Sequence, residues 1–177
     1  MHNIEIRRPR KMDIEKLYQF FKDVIIDTFA RENLAELRDD IENELNCKMD
    51  YLKSDFTSDG KNRYFLLAVE GEKIVGTIEY GPASDLIDRC TSGELKVWDE
   101  VGTVFVHPHY QGQGIGNLLL EEMMRTLQMK GIKEFCLDSG YTVAQKIWKK
   151  KFGEPAYLLK DFWGIGNDHM IWMIRLD

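Results

Sequence analysis

The chain has 177 residues, 44% of them apolar and 31% charged, with a formal net charge of −6. That length suits one domain, residues 1–177, around one sizeable core, and the composition excludes a disordered or repetitive chain. The negative charge argues against a nucleic-acid partner, because affinity for DNA or RNA comes largely from lysine and arginine neutralising phosphates.

No apolar run approaches the ~18 residues of a membrane helix, and MHNIEIRRPR carries charges where a leader peptide needs an apolar centre. A cytoplasmic protein with no membrane contact is expected. Cys47, Cys90 and Cys136 lie more than forty residues apart, which fits neither a disulfide framework nor metal-ligand spacing, so they are expected to be reduced and to hold no metal.

Ile4 to Arg8 alternates like a short strand, which Pro9 interrupts. Ile14, Leu17, Tyr18, Phe21, Val24 and Ile25 then recur with helical period, with Asp13 as the expected N-cap. A second helix carries Leu34, Leu37, Ile41, Leu45 and Leu52 on one stripe, and SDFTSDGKN, Ser54 to Asn62, reads as a turn-rich break. RYFLLAVEGEKIVGTIEYG reads as a hairpin turning at Glu70-Gly71-Glu72, and Pro82 to Asp99 as a loop. VGTVFVHP makes a central strand closed by Pro108. The next helix has Ile115, Leu118, Leu119, Met123 and Leu127 on one stripe and ends at Lys130-Gly131. EFCLD is a strand, TVAQKIWKKKFG a helix, and Ala156 to Lys160 and His169 to Leu176 are strands joined by DFWGIGND. The order βααβββαβαββ defines an α/β domain with mixed strand pairing.

The stretch HPHYQGQGIGNLLLEEMM places Gly112, Gly114 and Gly116 between a strand and a helix, although glycine is a poor helix former. A strand, a glycine-rich turn and a helix bind phosphate well, because free N–H groups and the positive end of the helix dipole face the anion. A Walker loop is excluded because Asn117 stands five residues after Gly112, where the second glycine belongs, and no lysine follows it. The dinucleotide fingerprint fails at the same residue, where it needs glycine or alanine. What fits is Q-x-x-G-x-G, read as Gln111, Gly114 and Gly116. With VFVHPHYQGQGIGNLLLEEM around it, the chain resembles the GNAT superfamily of acyl-coenzyme A-dependent N-acyltransferases.

The resemblance runs from about residue 4 to the C-terminus. It implies an α+β type of architecture: a central, mixed, mostly antiparallel twisted sheet flanked by helices, with one splayed parallel strand pair, here Gly102 to Val106 and Glu134 to Asp138. It implies acetyl-CoA as co-substrate, its pyrophosphate on the N–H groups of Gln111, Gly112, Gln113, Gly114, Ile115 and Gly116. The pantetheine arm would lie along Thr103 to Val106, with an N–H near Phe105 or Val106 pointing at the thioester carbonyl; Val104 belongs to the same strand. Glu100 stands eleven residues before Gln111, the register of the catalytic glutamate in the protein-lysine-acetylating branch. It is the first expected base, on the face that alternation gives to Gly102 and Val104, and Glu79 in GTIEYG is the second. The family's A-x-x-L-Y tyrosine, which protonates the leaving thiolate, is replaced by Trp148 in A-Q-K-I-W. Tyr141 is then the candidate acid, or the thiolate leaves unaided, and Trp148 packs against cofactor or core. His107 and His109, past the strand's end, are expected to face solvent or phosphates.

The function implied is transfer of acetyl to a primary amine, of a small molecule or of a protein, by direct attack in a ternary complex without an acyl-cysteine. The alternative is a catalytically silent coenzyme A sensor or interaction module. The acceptor pocket is expected from the first two helices, the loop that follows them and DFWGIGND, where Phe162 and Trp163 offer an apolar wall and Gly164 and Gly166 permit motion. A monomer and a homodimer both fit.

Overall fold

A computed structural model describes residues 3–177. Its elements are β1 (Ile4–Arg7), α1 (Ile14–Arg31), α2 (Arg38–Ser58), β2 (Tyr64–Glu70), β3 (Lys73–Pro82), α3 (Asp85–Cys90), β4 (Asp99–Val106), α4 (Ile115–Met129), β5 (Glu134–Ser139), α5 (Thr142–Phe152), β6 (Tyr157–Leu159) and β7 (His169–Arg175). Seven strands hydrogen-bond in the order β1-β2-β3-β4-β5-β7-β6. The β1–β2, β2–β3, β5–β7 and β6–β7 pairs are antiparallel, and β4 with β5 is parallel, so the sheet is mixed and mostly antiparallel. The parallel register joins Asp99 to Phe135 and Glu100 to Cys136.

The chain forms two compact units: the described part of Met1–Tyr80 with Thr103–Thr126, and Gly81–Gly102 with Leu127–Asp177. In the first, α1 buries Leu17, Phe20, Phe21, Val24, Ile25 and Phe29. This stripe is rotated from the expected one, leaving Ile14 and Tyr18 40% and 43% exposed. On α4 the rotation is similar: Leu120 is buried, and Leu118 lies outward. Phe21 makes ring contacts with Phe65 and Phe105, tying α1 to β2 and β4. Residues 74–81 of β3 are buried without alternation, as in a strand covered on both faces.

Helix α2 begins at Arg38, so Leu34 and Leu37 precede it, and it runs to Ser58 through the stretch expected to break. Asp55 explains the extension. Its buried carboxylate accepts hydrogen bonds from the Arg8 guanidinium at 2.9 Å and from the Phe65 N–H at 2.7 Å, fixing a last turn whose own sequence favours a loop. Asp59 and Gly60, at φ of 50° and 72°, then end it. Asp13 stands at the N-cap of α1 without capping it. Its carboxylate instead pairs with Arg7 at 2.8 Å and accepts from the Arg10 N–H at 2.7 Å, and the Arg7 hydrogen bond holds its pKa below the usual carboxylate range.

In the second unit, the region expected as a loop contains α3, with Ser84 accepting at its N-cap from the Ile87 N–H at 3.3 Å. Ile87 and Leu95 pack with Cys136 and Ile171, so burial stabilises a helix too short to persist alone. The Trp172 indole N–H donates to the Gly153 carbonyl at 2.9 Å, fixing the end of α5 against β7.

Candidate active site

The end of β4 is fixed by the His107 N–H, which donates to the Val75 carbonyl at 2.9 Å. A short 3-10 turn, Pro108–Tyr110, follows. The Gln111 amide donates to the Val106 carbonyl at 3.2 Å and the Gln113 amide to the His109 carbonyl at 3.1 Å, so two side chains shape the exposed loop. Gly112 and Gly114 have φ of 74° and 83°, and a Cβ on either would meet nothing within 4 Å. Glycine therefore serves the left-handed backbone here, not close packing. The Gly114 carbonyl accepts from the N–H groups of Asn117 and Leu118 at 3.1 Å each, which opens α4. The N–H groups of Ile115 and Gly116, first in the helix, lack a carbonyl one turn back and lie at the positive end of its dipole. An exposed glycine loop leading into such an end is suited to a phosphate anion.

Burial, with Lys73 and His109 nearby, lowers the pKa of His107, so its ring stays neutral near pH 7, and its Nδ1 accepts from the His109 N–H at 3.3 Å. Both histidines are thereby part of the loop's frame.

The four residues brought forward as acids, bases or ring contacts have distinct surroundings. Glu100, half-buried on β4, accepts the Ser84 N–H at 2.8 Å, beside the start of α3. Its neighbour Asp99, which the sequence does not single out, has a pKa raised by burial. Glu79 is 1% exposed, with one carboxylate oxygen 2.7 Å from the Arg63 guanidinium and the other accepting the Thr103 hydroxyl at 3.2 Å. Burial pushes this carboxyl up, and Arg63 and Lys48 oppose the shift. Tyr141 occupies the N-cap of α5: its N–H donates to the Ser139 hydroxyl at 3.0 Å and its carbonyl accepts from the Gln145 N–H at 2.9 Å. Trp148 is 8% exposed and stacks on Phe152 with centroids 5.9 Å apart, which commits its ring to the core of its unit.

Burial, with Glu100 and Asp138 nearby, pushes the Cys136 thiol well up, which suits packing and not nucleophilic attack. In DFWGIGND, the Trp163 indole donates to His169 Nδ1 at 3.1 Å, while Ile165 is 97% exposed. Among the described residues no group of three or more His, Cys, Asp or Glu could hold a metal ion, and no helix is long and apolar enough to cross a membrane.

Sequence reasoning missed Arg63 and Thr77, and it named Thr103 only for its backbone, because the partners lie 16 to 26 residues away and leave no local pattern. Ser84 had a signal, a serine directly before DLID, of the kind that starts a helix.

The profile of the acetyltransferase (GNAT) family matches residues 26–153, and the chain belongs to that family of N-acetyltransferases. Among solved structures, a GNAT-family protein from Desulfovibrio desulfuricans superposes with a TM-score of 0.71 at 16% identity, covering 97% of this chain and 98% of its own. PaiA N-acetyltransferase from Thermoplasma acidophilum, in complex with coenzyme A, gives 0.69 at 19% identity, with 98% and 99% covered. Ribosomal-protein-alanine N-acetyltransferase from Brucella melitensis gives 0.68 at 22% identity, with 97% and 99% covered. Likeness at this level of identity concerns the fold. No curated protein sequence matches the chain.

Proposed function

We propose that this acetyltransferase takes acetyl from acetyl-CoA and passes it to a primary amine by direct attack in a ternary complex. The observation that carries the reading is the exposed Gln111–Gly114 loop, whose left-handed Gly112 and Gly114 lead into the N-terminus of α4 at Ile115 and Gly116. Its N–H groups suit the pyrophosphate of the donor. That the Thermoplasma neighbour was solved with coenzyme A supports the same choice.

On this reading the backbone of Thr103 to Val106 receives the pantetheine arm, and an N–H near Phe105 or Val106 faces the thioester carbonyl. One preorganised donor at the oxyanion is worth about 3 to 4 kcal/mol. Glu100 accepts the proton of the attacking amine, the new C–N bond forms, and the C–S bond breaks. The leaving thiolate is protonated by Tyr141 or departs unaided, since a thiol pKa of ~8.5 makes it a fair leaving group. Glu79 is the weaker candidate base, because both of its oxygens are engaged inside the protein.

The test is release of free thiol from acetyl-CoA over a panel of polyamines, amino acids, aminoglycosides and lysine peptides, with calorimetry of coenzyme A in parallel. Release with one amine class, reduced about 10²-fold or more in Glu100→Gln, is the expected result. Binding without release from any amine would replace the transferase reading by the sensor reading. No binding would overturn the coenzyme A site.

A further inference from the structure

Strand β4 contains a conformation that its sequence does not advertise. Gly102 is the residue suited to a left-handed backbone, yet φ is positive at the next residue: Thr103 sits at 49°. For a β-branched side chain this is an outlier that persists only where its surroundings hold it. Three side chains do so. The Thr77 hydroxyl donates to the Thr103 carbonyl at 2.8 Å, and the Thr103 hydroxyl donates to Glu79 at 3.2 Å. The second Glu79 oxygen is held by Arg63 at 2.7 Å, and the Arg63 guanidinium lies 3.7 Å from the centroid of the Tyr51 ring. Thr77, Glu79 and Thr103 are 0%, 1% and 5% exposed, so water does not compete for these bonds.

A left-handed residue inside a strand turns the backbone and interrupts the alternation of its side chains. Whatever fixes Thr103 therefore fixes the direction in which Val104, Phe105 and Val106 present their N–H and carbonyl groups. We propose that Thr77 and Glu79 are positioning residues, which clamp Thr103 and thereby aim the backbone groups that receive the thioester. This rests on the coenzyme A reading above. It gives Glu79 a task other than proton transfer, and it assigns Thr77 a role that no motif marks.

The test uses Thr77→Val, which keeps the shape and removes the hydroxyl, with Thr77→Ser as the conservative control and Thr103→Gly as the relief variant. Loss of the clamp is expected to lower kcat on the order of 10- to 100-fold, the scale of a small misplacement of reacting groups. Thr77→Ser should restore kcat. Thr103→Gly in the Thr77→Val background should also restore it in part, because glycine adopts a positive φ without steric strain. The kcat–pH profile of Glu79→Gln should keep its acid limb, as a base at that position would not allow. Loss of kcat that glycine fails to relieve, or a vanished acid limb, would overturn the proposal. Amide hydrogen exchange gives a readout independent of activity: Thr77→Val should speed exchange at Val104 to Val106 about tenfold or more if the clamp lowers local opening by one decade. Unchanged exchange there refutes the clamp even if the chain binds no coenzyme A, an outcome that refutes only the functional reading.

Discussion

Replacing Gly76 by alanine tests how tightly α4 is seated on β3. A Cβ at this position would stand 2.8 Å from Leu119 Cδ1, 3.0 Å from Ile115 Cγ2 and 3.2 Å from the Phe105 carbonyl oxygen. The leucine tip can rotate away. Ile115 is β-branched and stiff, and the carbonyl belongs to β4, so these two must shift by a few tenths of an ångström. Overpacking of this kind costs about 1–3 kcal/mol, whereas Gly→Ala by itself stabilises by about 0.4–1 kcal/mol through the unfolded chain. The net expectation is a loss of about 0–2.6 kcal/mol, and for a chain of this size Tm falls by roughly 2–4 °C per kcal/mol. Urea unfolding measures the loss. A second expectation concerns function. Ile115 opens α4 next to the glycine loop, so coenzyme A affinity should fall in Gly76→Ala, and calorimetry reads that directly. Leu119→Val, which removes the Cδ1 methyl that makes the closest contact, should make the double variant less destabilised than the sum of its parts. Stability above the wild type in Gly76→Ala would refute the steric reasoning.

Asp13→Asn should destabilise the protein at pH 7 by about 1.5–3 kcal/mol, the range for a hydrogen bond to a charged group. Because Arg7 holds the folded pKa of Asp13 below its unfolded value, this contribution is present above the unfolded pKa and fades as pH falls through the folded one. The wild type should therefore lose more stability than Asp13→Asn between pH 7 and pH 3, and parallel urea curves would contradict this. Gly114→Ala has room for its methyl but an unfavourable φ of 83°, so coenzyme A affinity should weaken by about tenfold if the ~1–2 kcal/mol strain is relieved by distorting the loop. Equal affinity in calorimetry would mean that the loop conformation is not what binds. Trp148→Ala should cost about 3–5 kcal/mol as a core truncation while the folded variant keeps its coenzyme A affinity. A selective loss of affinity in folded protein would place the indole against the cofactor after all.

Much of this protein was determined locally and could be read in order along the chain. Period 3.6 in α1 and α4, the Gly71-Glu72 turn of the β2–β3 hairpin and the Q-x-x-G-x-G spacing of Gln111, Gly114 and Gly116 each depend on neighbours within a turn or two, so the residues themselves carry the signal. The tertiary structure decided what depends on partners far away. It extended α2 through Ser54 to Ser58 because Asp55 meets Arg8 across 47 residues, and it drew Asp13 away from capping toward Arg7. It made a helix at Asp85–Cys90 by burying Ile87, and it set β7 between β5 and β6. It also placed a left-handed residue in β4 at Thr103, where Thr77 and Glu79, 26 and 24 residues back, supply the hydrogen bonds that offset the strain. Local preference ranks the conformations open to each residue, and buried hydrogen bonds between distant residues select among them.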